Sequence, residues 1–329
     1  MKLFGIAKRF NGVASGVVVS DWLSSDRAMH GMAPTLRGVR SMAPTLRGVR
    51  SMAPTLRGIG ATLLAAGFLA SFIPAQAAVD LNHTLFTEDL KEYVEKDLVH
   101  YKQWKQHPER LDQYLKSLAD ITQDEYEKLS KEDKKALWIN AYNAFTVKVV
   151  LDHYPINGTE TYYPKNSFRQ IPDAWDEFYF VVAGRRVNLN EIEHNISRRL
   201  HDPRIHFAVV CAAKGCAKMN KEAYVGKTLD ASLDAQTQKF ILDQQNVDFD
   251  HKEKVVRVSK LFSWFPLDFL NAVGFKTMPF PPPKDDEVVL RYIVSRSAKE
   301  VQERFKSDED YRAYKVVYKD YDWSLNDAD

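Results

Sequence analysis

The stretch DKKALWINAYNAFTVKVVLDHY, residues 133–154, constrains the fold more than any other. Wound as a helix, it is apolar on nearly every side and has no face to give to water. Such a helix is buried all round, so the rest of the domain must wrap it. Asp133 is its expected N-cap. Asn140 and Asn143 interrupt the apolar surface, three apart and therefore on one face. A buried amide without partners costs about 1–3 kcal/mol. Either a crossing loop bonds the two amides, or they line a polar site with Trp138 beside them.

Around this helix the pattern alternates irregularly. Residues 88–104 repeat Leu90, Tyr93, Leu98 and Tyr101 at helical spacing. FYFVVAGRRVNL (178–189) reads as a hairpin turning at Ala183-Gly184. NLNEIEHNISRRL (188–200) opens near a capping box formed by Asn188 and Glu191, and buries Leu189, Ile192 and Ile196. RIHFAVVC reads as a strand, 228–245 as an amphipathic helix and 247–259 as a second hairpin. Helices near 260–272 and 286–306 and a strand around 314–321 follow, with Pro-rich 278–287 as a stiff connection. Helices and short strands without regular alternation predict an α+β fold: a helix-rich single domain with a small mixed or antiparallel sheet.

Residues 1–77 stand apart from that domain. MAPTLRGVRS occurs at 32–41 and again at 42–51, too few copies to build a repeat fold. Met1, Met32, Met42 and Met52 are all candidate starts. Residues 52–77 then combine Arg57, an apolar run from Ala61 to Ile73, Pro74, and the small residues Ala75-Gln76-Ala77. That is a secretory signal with cleavage after Ala77, which makes 78–329 one mature globular domain. The apolar run is too short to span a bilayer, and the mature chain has no integral membrane segment. The whole chain carries 46 Lys+Arg against 44 Asp+Glu. Nine of those basic residues and two acidic ones lie in 1–77, so the mature part is acidic, at a net −5. Nothing in it offers the clustered positive charge that nucleic acid needs.

The two cysteines, Cys211 and Cys216, lie in HFAVVCAAKGC (206–216). As a strand, this places Ile205, Phe207, Val209 and Cys211 on one face and His206 on the other, which separates His206 from Cys211. Gly215 permits a reversal that brings the cysteines together. Three uses stay open. An exported protein meets an oxidising space, where a Cys211–Cys216 disulfide is favoured. A cysteine at a strand end beside a Gly-containing loop is also a candidate nucleophile. Its base would be His194 or His206, with Glu193 or Asp202 as orienter. Zinc is the third, but C-x4-C is at the edge of metal spacing and no second tight ligand pair exists, so no metal and no cofactor is read here.

LWINAYNAFTV (137–147), EIEHNISR (191–198), DPRIHFAVVCAAKGC (202–216) and YDWSLN (321–326) together resemble the domain-of-unknown-function family DUF547. The resemblance covers roughly 130–270 plus the last strand, and implies a secreted bacterial member of that family. It implies no reaction. The family's usual Ser-Cys-Pro is Gly215-Cys216-Ala217 here. Trp138, Asn140, Asn143, Glu193, His194, Arg204, His206, Cys211 and Cys216 are the matching residues.

Two functions are expected of such a chain. One is a secreted or periplasmic cysteine-dependent hydrolase or acyl transferase, with Cys211, His194, Glu193 and His206 as catalytic candidates. The other is a non-catalytic periplasmic binding module stabilised by the disulfide, with Asn140, Asn143, Trp138 and Arg204 forming a polar site for a small-molecule or protein partner.

Overall fold

The stretch that opened the sequence reading does form the central helix, as far as His153, with Tyr154 as its C-cap. In a computed structural model, which describes residues 79–273 and 283–329, it runs from Lys131 to His153 with its middle buried throughout. Its N-cap is Ser130 rather than Asp133. The Ser130 side chain accepts the Asp133 N–H at 2.9 Å, which puts Asp133 inside the first turn, where its charge opposes the helix dipole's positive end. The readings made on residues 1–77, and residues 278–282 of the Pro-rich connection, lie outside the described residues.

The elements before this helix are α1 (Thr84–Tyr93), β1 (Val94–Glu95), β2 (Leu98–Val99), α2 (Tyr101–Gln106), α3 (Glu109–Asp120) and α4 (Gln123–Lys128); the central helix is α5. The single helix expected over 88–104 is therefore broken. Lys96 and Asp97 both take left-handed φ, 47° and 70°, and turn β1 back on β2. A two-residue hairpin with positive φ at both centres matches strand twist. Leu90, Tyr93 and Tyr101 are buried and Leu98 half-buried, so the apolar spacing was real but served two helices and a hairpin.

After α5 come the hairpin β3 (Phe180–Val182) and β4 (Arg185–Val187), turning at Ala183-Gly184 as expected. Next is a π-helical turn, Glu191–Ser197, entered through Asn188, whose Oδ1 accepts the Glu191 N–H at 2.7 Å. The chain continues through α6 (Leu229–Leu242), β5 (Val247–Asp250), β6 (Val255–Val258), α7 (Leu261–Trp264), α8 (Pro266–Leu270), α9 (Asp285–Val294), α10 (Lys299–Gln302), α11 (Asp308–Ala313) and β7 (Lys315–Tyr318). Strand β6 pairs antiparallel with β5 and parallel with β7, so the one three-stranded sheet is mixed and the fold is α+β. Helix α5 packs against α2, α3 and the π-helical turn. Among the described residues no helix is long and apolar enough to cross a membrane.

One element overturns the sequence reading where it matters most. Residues Pro203–Phe207 form a 3-10 helix, not a strand. Asp202 caps it by accepting the Arg204 N–H, and Pro203 fills the first position, where a missing N–H costs nothing. Residues 208–211 then continue as irregular chain held to α5. Asn143 donates Nδ2–H to Ala208 O and accepts the Val210 N–H, both at 2.9 Å. Asn140 makes the same paired contact with Tyr224, donating to its carbonyl at 2.7 Å and accepting its N–H at 2.9 Å. Each buried carboxamide thus satisfies one backbone donor and one acceptor of a crossing loop.

Candidate functional site

The loop 211–216 is shaped by contacts from a distant segment. Ser324 and Asp322 carbonyls accept the Lys214 and Gly215 N–H groups at 2.8 and 2.9 Å, and Asn326 donates to Ala212 O at 3.0 Å. A Cβ on residue 215 would meet Asp322 N at 2.9 Å and the Tyr321 ring at 3.1 Å, so the glycine lets Tyr321 close over the loop. Ala212 sits at φ 59°, a conformation that strains any residue with a Cβ.

This geometry brings the two thiols together. Both cysteines are free, near each other but not at bonding distance. Cys211 is half-buried and Cys216 buried. The Cys211 N–H donates to Cys216 Sγ at 3.2 Å, Cys216 Sγ lies 3.7 Å from Val209 O, and Cys211 Sγ lies 3.3 Å from Tyr321 Oη. The thiols also hydrogen-bond each other. That bond, reinforced by burial, pushes the Cys211 thiol well up, while the same bond and the Cys211 N–H hold Cys216 below its ordinary value. The pair therefore loses its first proton as a unit, and the Cys211 N–H aimed at Cys216 Sγ favours the negative charge there.

A cavity of about 30 Å³ opens beside the sulfurs. Val209, Leu261, Trp264 and Phe265 line it together with Tyr142, Glu193, His206 and Tyr321, and the surface they turn toward it is almost wholly apolar. Glu193 is buried and accepts the Tyr142 hydroxyl at 2.9 Å, while Tyr142 Oη accepts Trp175 Nε1–H at 3.3 Å.

His206 and Cys211 do not stand on opposite faces of a strand, as the sequence reading had it, because there is no strand; they line one cavity. His206 stacks flat on Phe265, with ring centroids 4.3 Å apart, and its Nε2 lies 2.8 Å from Asp268 Oδ2. Burial alone would raise the Asp268 carboxyl, but hydrogen bonds from His206 and Arg198 hold it well below the usual range. An ionised carboxylate only accepts, so His206 carries its proton on Nε2 and leaves Nδ1 as a free base. Burial pushes the His206 imidazole down, which keeps it neutral near pH 7.

His194 is not among the residues lining the cavity. Arg198 grips Asp268 with Nε and Nη2, at 2.6 and 3.0 Å, and donates Nη1–H to His194 Nδ1 at 3.1 Å. Burial, then the Arg198 charge, lowers His194 to about 4. Both histidines named from the sequence thus meet one carboxylate, directly or through Arg198. Asp268 was not anticipated: it sits in the first turn of a short helix, and no local pattern marks it.

The other candidates lie elsewhere. Trp138 is buried and donates Nε1–H to Tyr126 Oη at 2.9 Å. Arg204 pairs with Asp202, Asp230 and Asp234, each at 2.8–2.9 Å, and Lys135 adds a second cation on Asp202, whose carboxyl falls to about 2 against the effect of its burial. Neither lines the cavity, and the amides of Asn140 and Asn143 are taken up by backbone. Among the described residues no three His, Cys, Asp or Glu side chains are grouped to hold a metal ion.

Residues 126–241 match the family model described as "Protein of unknown function, DUF547". No curated protein and no solved structure matches the chain. The DUF547 match supports the family resemblance and takes in Tyr142, Glu193, His206, Cys211 and Cys216. Leu261, Trp264, Phe265, Asp268 and Tyr321 fall outside it. Tyr142 and Tyr321 lie inside the LWINAYNAFTV and YDWSLN motifs, but nothing in those motifs marks either hydroxyl as part of a site.

Proposed function

We propose that this chain is an exported thiol-redox protein in which Cys211 and Cys216 alternate between dithiol and disulfide. The observation that carries the reading is the pair itself: two free thiols in mutual hydrogen bond, with the anionic charge favoured on one of them, at the edge of a cavity. A low-pKa thiol beside a second thiol is the arrangement that thiol–disulfide chemistry uses. Oxidation removes two electrons and two protons and joins the sulfurs; a two-electron oxidant receives the electrons. Export rests on the signal-peptide pattern of residues 52–77.

The hydrolase or acyl-transferase reading draws on the His206–Asp268 pair, which has the form of a base with its orienter. It is weaker because the hydrogen bonds of the two thiols go to one another, to Tyr321 and to backbone. The cavity beside the sulfurs has room for only about two waters. The static-disulfide module is the remaining alternative.

The test is a redox titration of protein recovered from outside the cytoplasm, whose mass should begin at Ala78. Equilibration with dithiol–disulfide buffers should interconvert a reduced form and a form lighter by two hydrogens, linked between Cys211 and Cys216. Thiols that never pair would sink the proposal, and a disulfide that no dithiol reduces would favour the static module.

A further inference from the structure

The cavity beside the thiols limits what can reach them. We propose that the oxidant reduced at this site is hydrogen peroxide, with Cys216 as the attacking sulfur and Cys211 as the resolving one. This rests on the dithiol reading above and gives it a substrate.

Size comes first. A cavity of about 30 Å³ holds about two waters, which is the bulk of one peroxide molecule. A protein disulfide, a glutathione disulfide or a lipid hydroperoxide does not fit between Val209, Leu261, Trp264 and Phe265. The wall is almost wholly apolar, and Tyr142, Glu193, His206 and Tyr321 show it little of their polar surface, so the cavity selects by size rather than by hydrogen bonding.

The two sulfurs divide the work. Cys216 Sγ receives the Cys211 N–H at 3.2 Å, which steadies a thiolate there. That sulfur attacks one peroxide oxygen: the S–O bond forms, the O–O bond breaks, and hydroxide leaves. The Cys211 S–H, already hydrogen-bonded to Cys216, gives its proton to the departing hydroxide, so water is released and Cys211 becomes a thiolate. Cys211 then attacks the Cys216 sulfenic acid. The S–S bond forms, the S–O bond breaks, and the second hydroxide takes up the proton that Cys216 had released on ionising. Overall two thiols and one peroxide give one disulfide and two waters. An external dithiol restores the pair by attacking the half-buried Cys211 sulfur from outside the cavity.

The experiment uses full-length reduced protein treated separately with hydrogen peroxide, tert-butyl hydroperoxide and oxidised glutathione, with disulfide formation followed by mass. Hydrogen peroxide should react at least roughly tenfold faster than either larger oxidant, a barrier difference of about 1.4 kcal/mol. Cys211→Ser should stop at a sulfenic acid that dimedone traps on Cys216, and Cys216→Ser should lose the fast reaction. Equal rates for the three oxidants, or a dimedone adduct on Cys211 in the intact pair, would overturn the peroxide assignment while leaving the dithiol couple standing. Failure of every oxidant to join the sulfurs would overturn both.

Discussion

Asn143 is the residue through which the central helix holds the cysteine segment, and its removal has a calculable effect. Asn143→Ala strips partners from a buried carbonyl (Ala208) and a buried N–H (Val210). Each group left unsatisfied costs about 1–3 kcal/mol. A water entering the space of the lost amide offsets part of this, so the lower half of the combined range applies, about 3 kcal/mol. In a domain of this size each kcal/mol shifts Tm by about 2–4 °C, so Tm should fall by about 10 °C. Asn140→Ala removes a like pair of bonds to Tyr224 and should be destabilising to a similar degree. The two differ at the sulfurs. Val209, 3.7 Å from Cys216 Sγ, lies between the two groups that Asn143 holds, whereas Tyr224 is not among the residues around the cavity. Urea unfolding, followed by tryptophan fluorescence and circular dichroism together, measures the first effect; ultraviolet titration of the thiolate measures the second. Only Asn143→Ala should move the thiolate titration. A loss below about 1 kcal/mol for Asn143→Ala, or an equal thiolate shift in Asn140→Ala, would refute the reasoning.

Two further perturbations test other parts of the molecule. Asp89 is buried against Arg110, 2.9 Å from Nη1, and its second oxygen has no partner. Burial pushes its carboxyl up to about 7, above the unfolded value, so its contribution to stability is full below about pH 4 and is lost as pH rises to about 7. Asp89→Asn should therefore flatten the decline in urea midpoint between pH 5 and 8, and an unchanged slope would refute this. At Ala212, glycine relieves roughly 1–2 kcal/mol of left-handed strain but gives up a buried methyl and some chain entropy, about the same sum, so Ala212→Gly should be within about 0.5 kcal/mol of neutral. Ala212→Val should cost more than about 2 kcal/mol in the same unfolding assay, since a β-branched residue tolerates positive φ least; glycine costing as much as valine would count against the strain.

Much of this was legible in sequence because the signals were local and strong. The all-round apolar helix, both hairpins after it and the α+β class follow from periodicity and turn residues. The cysteine segment was misread because IHFAV alternates as a strand does, while Asp202-Pro203, a cap followed by a first-turn proline, carried the decisive signal. Once the 3-10 helix winds the segment up, His206 turns toward the side where the sulfurs lie. Asp268 and Trp264 were out of reach for another reason. They reach His206 and the cysteines from about fifty or more residues away, through packing that no spacing within one element encodes.

The strap from Tyr321 to Asn326 makes order of synthesis matter. A chain delivered N-terminus first presents both thiols long before the residues that cap Lys214, Gly215 and Ala212 and lay Tyr321 over Cys211. Closing contacts so distant along the chain belong to the slow part of folding. Until then the sulfurs are as open as any cysteine on an unfolded chain, and large oxidants reach them as readily as small ones. The proposed selectivity by size is thus acquired last, and a fragment ending at residue 241 would carry both cysteines without Leu261, Trp264, Phe265 and Tyr321 of the wall.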